Sequence, residues 1–142
     1  MKKSILIIIF ILLTVSSYAG KYSTTVNAAD EYGNTPLSTA IYNENLDMIK
    51  LLLNNKMDPN TVTDEYYGTT LFMWAISRDD NELAKLLIKK GANVNSLNYQ
   101  NLSVLGYTQN TETIKFLLNN GLDPNATDGN GNTPLMMGIL LG

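Results

Sequence analysis

Three times along the chain the same arrangement of apolar and polar positions recurs. Between Asp47 and Asn54 the residues Met48, Ile49, Leu52 and Leu53 fall on one stripe at helical spacing, which predicts an amphipathic helix. Its centre, Lys50-Leu51-Leu52-Leu53, returns as Lys85-Leu86-Leu87-Ile88 and again as Lys115-Phe116-Leu117-Leu118. Gly33 to Asn60 runs in register with Gly68 to Asn95 at an offset of 35 residues. The third copy follows the second at an offset of 30, and a fourth opens at Asp128 with Gly131, Thr133, Pro134 and Leu135.

Each unit has one local grammar. A stretch rich in Gly, Asn and Asp marks a turn, because these residues accept positive φ or bond their own backbone. Thr35-Pro36 and Thr133-Pro134 then suit a helix start. The threonine hydroxyl can cap the first amides, and proline loses nothing at the first helical position. A short helix is expected from about Pro36 to Tyr42, and the leucine-bearing helix follows. Gly91 and Gly121 stand just past that second helix, where a left-handed stop is expected, and Lys56 occupies the same place in the first unit. The fold class is all-α, with helix pairs joined by β-turn loops.

The first unit reads "DEYGNTPLSTA" and "IKLLLNNKMDPN", the second "YGTTLFMWA" and "AKLLIKKGANVN", the third "NYQNLSVLGYT" and "IKFLLNNGLDPN". This series resembles the ankyrin repeat, a turn-helix-helix unit of about 33 residues. The resemblance covers Val26 onward and implies an all-α solenoid. Its units fall at about 30–62, 64–97 and 98–127, with a truncated fourth at 128–142. Three features depart from the pattern. The second unit carries the long loop "TVTDEYYG" and has Leu71 in place of the proline. The third is three residues short between Thr108 and Glu112, and Asn101 replaces its turn glycine. The usual histidine is absent, its place held by Ser38, Met73, Gly106 and Met136. Looser capping is expected, above all in the third unit.

Composition changes this picture mainly by exclusion. The 142 residues are 44% hydrophobic and 16% charged, with a net charge of −3. No basic face of the kind that binds nucleic acid is evident. Neither Cys nor His occurs, which removes disulfides, thiolate and imidazole metal sites, and Cys or His catalysis. Glu44, Asp47, Asp79 and Glu82 sit at helix turns where solvent keeps carboxylates ordinary, so no enzyme, cofactor or metal is expected. Asp128, Asn130 and Asn132 lack the downstream glutamate of a calcium loop.

The N-terminus has a different character. Lys2 and Lys3 precede an apolar run from Ser4 to Val15, and Ser17 and Ala19 take the −3 and −1 places for a cut before Gly20. This is the layout of a secretory signal peptide at 1–19. The run is about twelve residues, against roughly twenty for a spanning helix. Export with cleavage is expected; an uncut membrane anchor is the alternative. Cleavage would leave 8 basic and 13 acidic side chains. The resemblance, with such a leader, implies a bacterial periplasmic or secreted protein: a helper of a stress enzyme, an inhibitor or immunity partner, or a host-directed effector.

The resemblance also implies that binding falls on turn tips and on the exposed face of each first helix. By position these are Glu31, Tyr32, Asn34, Tyr42 and Asn43 in the first unit. The second offers Glu65, Tyr66, Tyr67, Thr69, Ser77 and Arg78; the third Tyr99, Gln100 and Leu102; the fourth Gly129, Asn130 and Asn132. The expected partner is another protein. Tyr32, Tyr66, Tyr67 and Tyr99 put an aromatic at three successive tips, either as contact surface or as rings packed on the neighbouring turn. Met73 and Trp74 are expected in the core or the groove. The apolar run Met136, Met137, Ile139, Leu140 and Leu141 either caps the third unit or leaves an edge at 134–142 for self-association. Asn101 and Asn125 begin glycosylation-type triplets, a signal common by chance in an Asn-rich chain.

Overall fold

Thr35 and Thr70 show at once why the first helices begin where they do. Each side chain accepts an amide of the first turn: Ser38 N–H donates to Thr35 Oγ1 at 3.0 Å, and Met73 N–H to Thr70 Oγ1 at 3.2 Å. Ser38 returns the contact, its Oγ accepting from Thr35 N–H at 2.8 Å, which closes a capping box. The computed structural model describes residues 29–31 and 34–136. It divides into two compact units that meet at Lys56 and Met57.

In the first unit, α1 (Pro36–Tyr42) and α2 (Leu46–Asn54) form an antiparallel pair. Leu37 and Ala40 of α1 are buried, as are Ile49, Leu52 and Leu53 of α2. Asn45 caps α2, accepting from Met48 N–H at 3.0 Å.

The second unit repeats this plan. It pairs α3 (Leu71–Ser77) with α4 (Asn81–Lys89), and then a 3₁₀ helix (Val104–Tyr107) precedes α5 (Thr111–Asn119). Asp80 caps α4 and Asn110 caps α5. Its core holds Leu71, Phe72, Met73 and Ile76 of α3, Leu83 and Leu87 of α4, Val104 and Leu105, and Ile114 and Leu117 of α5. Each fully buried leucine contributes roughly 1.5–3 kcal/mol of transfer free energy. Among the described residues no strand forms; a single antiparallel bridge, Val62 to Thr70, closes the long loop of the second repeat. None of the described helices is long and apolar enough to cross a membrane.

The shortened third repeat keeps its place by a change of helix type. With three residues missing and Gly106 inside it, the first helix shrinks to one 3₁₀ turn of four residues. Ser103 takes the position of the capping threonine, accepting from Leu105 N–H at 3.3 Å. Its own hydroxyl donates to the Thr127 carbonyl at 2.6 Å, so the cap also ties the start of the third repeat to its last residue.

Successive repeats in this unit are also joined by an asparagine ladder. Asn60 Nδ2 donates to the Gly91 carbonyl at 3.3 Å, and its Oδ1 accepts from Asn93 N–H at 2.7 Å. Asn95 repeats this one unit on, donating to the Gly121 carbonyl and accepting from Asp123 N–H, both at 2.8 Å. Gly91 and Gly121 adopt φ of 99° and 94°, as expected of left-handed stops, and Lys56 takes φ 68° at the corresponding place. A side chain there works against the Cβ–carbonyl clash that glycine avoids. Lys56→Gly should therefore raise stability by up to about 1 kcal/mol, measured by thermal unfolding, the relief of strain being partly offset by the entropy of glycine.

Candidate interaction surface at the hairpin tips

Every tip in the described chain turns on one Asx side chain. Asp64 Oδ1 accepts from Tyr67 N–H at 2.7 Å and Tyr66 N–H at 3.1 Å, and its Oδ2 accepts from Thr69 N–H at 3.3 Å. Asn98 Oδ1 accepts from Gln100 and Leu102 N–H, both at 2.9 Å. Asp128 holds Asn130 and Asn132 in the same way, and Asp30 holds Asn34. Loop amides that would otherwise depend on water are fixed by the chain itself.

This bonding sets the charge state of the tips. Partial burial pushes the Asp64 carboxyl up, but the amides of Tyr67, Thr69 and Tyr66 and the Thr69 hydroxyl together hold it below the ordinary 3.8. The Asn132 side chain, opposed by slight burial and aided by the Asn132 and Asn130 amides, lowers Asp128 likewise. Neither carboxyl moves toward neutral pH, where general acid–base chemistry would need it.

The second and third tips are joined. Tyr99 N–H donates to the Tyr67 carbonyl at 2.9 Å. The Tyr99 ring lies against Gly68, so closely that a Cβ on Gly68 would stand 2.4 Å from its Cδ1. Gly68 has φ +69°, so only glycine meets both conditions without strain. Tyr66 and Tyr67 meet edge to face, with centroids 4.7 Å apart and planes at 80°. The rings nevertheless remain open to solvent: Tyr66 is 82% exposed, Tyr99 67% and Tyr67 47%. Tyr99 thus packs on the neighbouring turn, one of the two readings of the tyrosine row, and still leaves much of its ring open to solvent.

Other expected contact residues are spread around this patch or apart from it. Thr69 is partly buried beneath it, 3.2 Å from the Tyr107 hydroxyl, which also accepts from Asn98 Nδ2 at 2.9 Å. Gln100 and Glu65 are exposed at the tips. Ser77 and Arg78 lie at the far end of α3; Ser77 Oγ donates to the Trp74 carbonyl at 2.8 Å, and the Arg78 guanidinium lies 5.1 Å from the Trp74 ring centroid. Met73 is fully buried and Trp74 half-buried, which divides that pair between core and surface. In the first unit Tyr42 is 89% exposed and Glu31 is exposed, while Asn34 and Asn43 use their side-chain amides locally, on Asp30 and on the Thr39 carbonyl. Tyr32, the expected leader at 1–19 and residues 137–142 lie outside the described residues.

Sequence reasoning did not single out Asn98 or Tyr107. Both belong to the irregular third unit, where alignment to the other copies is weakest. The same irregularity opens a shallow cavity of about 210 Å³ between the 3₁₀ helix and the fourth tip, lined by Leu102, Leu105, Gly106, Thr108, Gln109, Asp128, Gly129 and Asn130. Among the described residues no group of His, Cys, Asp and Glu is arranged to hold a metal ion.

Comparison with known families places this architecture. A model described as ankyrin repeats (3 copies) matches residues 7–98, and one described as ankyrin repeats (many copies) matches 102–141. The chain belongs to the ankyrin repeat family. An ankyrin repeat protein of Acanthamoeba polyphaga mimivirus is 33% identical over 138 residues, covering 78% of this chain and 24% of that one. Another, FPV244 of Fowlpox virus (strain NVSL), is 33% identical over 125 residues, covering 87% and 18%. The chain thus spans a quarter or less of these curated relatives. Among solved structures, the ankyrin repeat domain of Bcl-3, a member of the IkappaB protein family, matches with a TM-score of 0.64 at 26% identity, over 87% of this chain and 57% of that one. The ankyrin grammar accounts for the tips: aspartate, or Asn98 in the third, opens the turn, and threonine or serine closes it onto the first helix.

Two measurements check this geometry. Gly68→Ala should cost about 1–3 kcal/mol in urea unfolding, from strained backbone and collision with Tyr99 together. Tyr99→Ala placed in the same chain should recover part of that cost, and strict additivity would show that the ring does not rest on Gly68. A carboxyl whose folded pKa is depressed contributes stability above its unfolded pKa and loses it as pH falls through the folded value. The Tyr67 amide resonance should accordingly titrate with a midpoint below 3.8 and become pH-independent in Asp64→Asn. A midpoint above 3.8 would contradict the bonding described.

Proposed function

We propose that this chain is an exported, non-catalytic ankyrin-repeat protein that binds another protein through its hairpin tips, with the exposed face of the first helices as flanking contact. Ankyrin repeats are a protein–protein interaction architecture, and the chain shares that architecture through its repeats. The observation that carries the tip assignment is the rigid, solvent-facing set Tyr66, Tyr67 and Tyr99 on two bonded hairpins. Tyrosine offers large contact area at small entropic cost, and fixed loops lose little further freedom on binding. Trp74 under Arg78 offers a second aromatic surface on α3. Export rests on the three-part composition of residues 1–19.

Affinity capture from the cell that makes the protein, with mass spectrometry, tests the binding reading. The Tyr66→Ala/Tyr67→Ala variant should lose the captured partner while its helical circular dichroism and urea midpoint stay those of the parent. A partner retained in full by that variant would remove the tips from the interface. N-terminal sequencing of the same material checks export: Gly20 as first residue is expected, and Met1 would favour the membrane-tethered form.

A further inference from the structure

The tips differ from the rest of the second unit in charge as well as in aromatic content. Residues 64–68, 98–101 and 128–132 contain Asp64, Glu65 and Asp128 and no lysine or arginine. The cations of this unit lie elsewhere. Arg78 covers Trp74, and Lys85 and Lys115 pair at 2.7 Å with Glu82 and Glu112 on α4 and α5. Lys89 and Lys90 close α4. Glu65 stands exposed beside Tyr66 and Tyr67.

The backbone at the tips reinforces this polarity. The amides from Tyr66 through Thr69 and from Tyr99 through Leu102 already donate to Asp64, Asn98, Tyr67 or a neighbouring loop carbonyl. An incoming carboxylate or phosphate would meet repulsion and find these donors occupied. An incoming ammonium or guanidinium would meet the negative field and the electron-rich faces of exposed tyrosines, a combination that attracts cations.

From this complementarity we propose that the Tyr66–Tyr67–Tyr99 patch receives a lysine- or arginine-bearing segment of the partner protein, with Glu65 steering its charge. The inference rests on the protein-binding reading above and adds to it the chemistry of the partner.

The test uses the full chain, ¹⁵N-labelled, and two synthetic ten-residue peptides that alternate glycine with lysine or glycine with glutamate. The lysine peptide should shift the amides of residues 64–69 and 98–102, and the glutamate peptide should not. Raising salt from about 50 to about 300 mM should weaken the lysine peptide roughly threefold or more, since exposed charge contacts are screened over that range. Glu65→Lys should weaken it roughly three- to tenfold, in keeping with loss and reversal of an exposed ion pair. Tyr66→Ala/Tyr67→Ala should remove the shifts with helical circular dichroism unchanged. Equal response to both peptides, or shifts confined to residues 82–90 and 112–119, would overturn the proposal. In the capture experiment, a partner lost on tyrosine substitution yet held undiminished at high salt would overturn the charge assignment and leave the tip-binding reading standing. A partner indifferent to the tyrosine substitutions would overturn both.

Discussion

A chain with this much loop must find partners for backbone N–H groups outside its helices, and here a single side-chain oxygen at the mouth of each turn does most of that. Asp30, Asp64, Asn98 and Asp128 recur at the same structural place and gather the amides that follow. A buried or half-buried amide left without an acceptor costs about 1–3 kcal/mol, which is large against the total stability of a small domain. The tips are therefore ordered elements on which side chains can be displayed at set positions.

Repeat-to-repeat bonding extends the same economy. Asn60 and Asn95 each bind the stop that follows the next second helix, so one residue type at one place serves both turn and ladder. The defective third repeat adds bonds of its own. Ser103 reaches Thr127, Tyr107 reaches Thr69, and the fully buried Thr113 donates to Asp79 at 2.9 Å. A deletion of nearly one helical turn is absorbed by polar links within the repeat and to the second repeat, with apolar packing retained at Val104 and Leu105. Nearest-neighbour coupling of this kind lets a repeat protein tolerate one irregular unit.

The consequence for binding is a division of surfaces. Helices α4 and α5 carry salt-bridged lysines and glutamates, a solvated face of little specificity. The tips carry tyrosines, amides and carboxylates on loops already held from within. Tyr99 belongs to both the framework and the surface, because its ring rests against Gly68 while most of the residue stays open to solvent.

The helices were legible in the chain because their causes are local. The stripe Met48, Ile49, Leu52, Leu53, the caps at Thr35 and Thr133, and the stops at Gly91 and Gly121 each act within a few residues. Aligning the copies showed Lys56 and Asn101 standing where glycine usually does, and both keep the left-handed backbone there, Asn101 at φ 60°. What alignment could not supply was any contact between residues far apart in sequence within the irregular unit. Nothing in the letters joins Tyr99 to Gly68, Tyr107 to Thr69, or Thr113 to Asp79; each depends on how far one repeat shifts against the next, a distance of ångströms that a repeat period does not encode. Sequence alone determined the repeats, their helices and the presence of tyrosines at the tips. Only the tertiary structure decided which tyrosines meet, how far each ring stays open to solvent, and which amides each tip carboxylate gathers, because those outcomes come from packing between repeats.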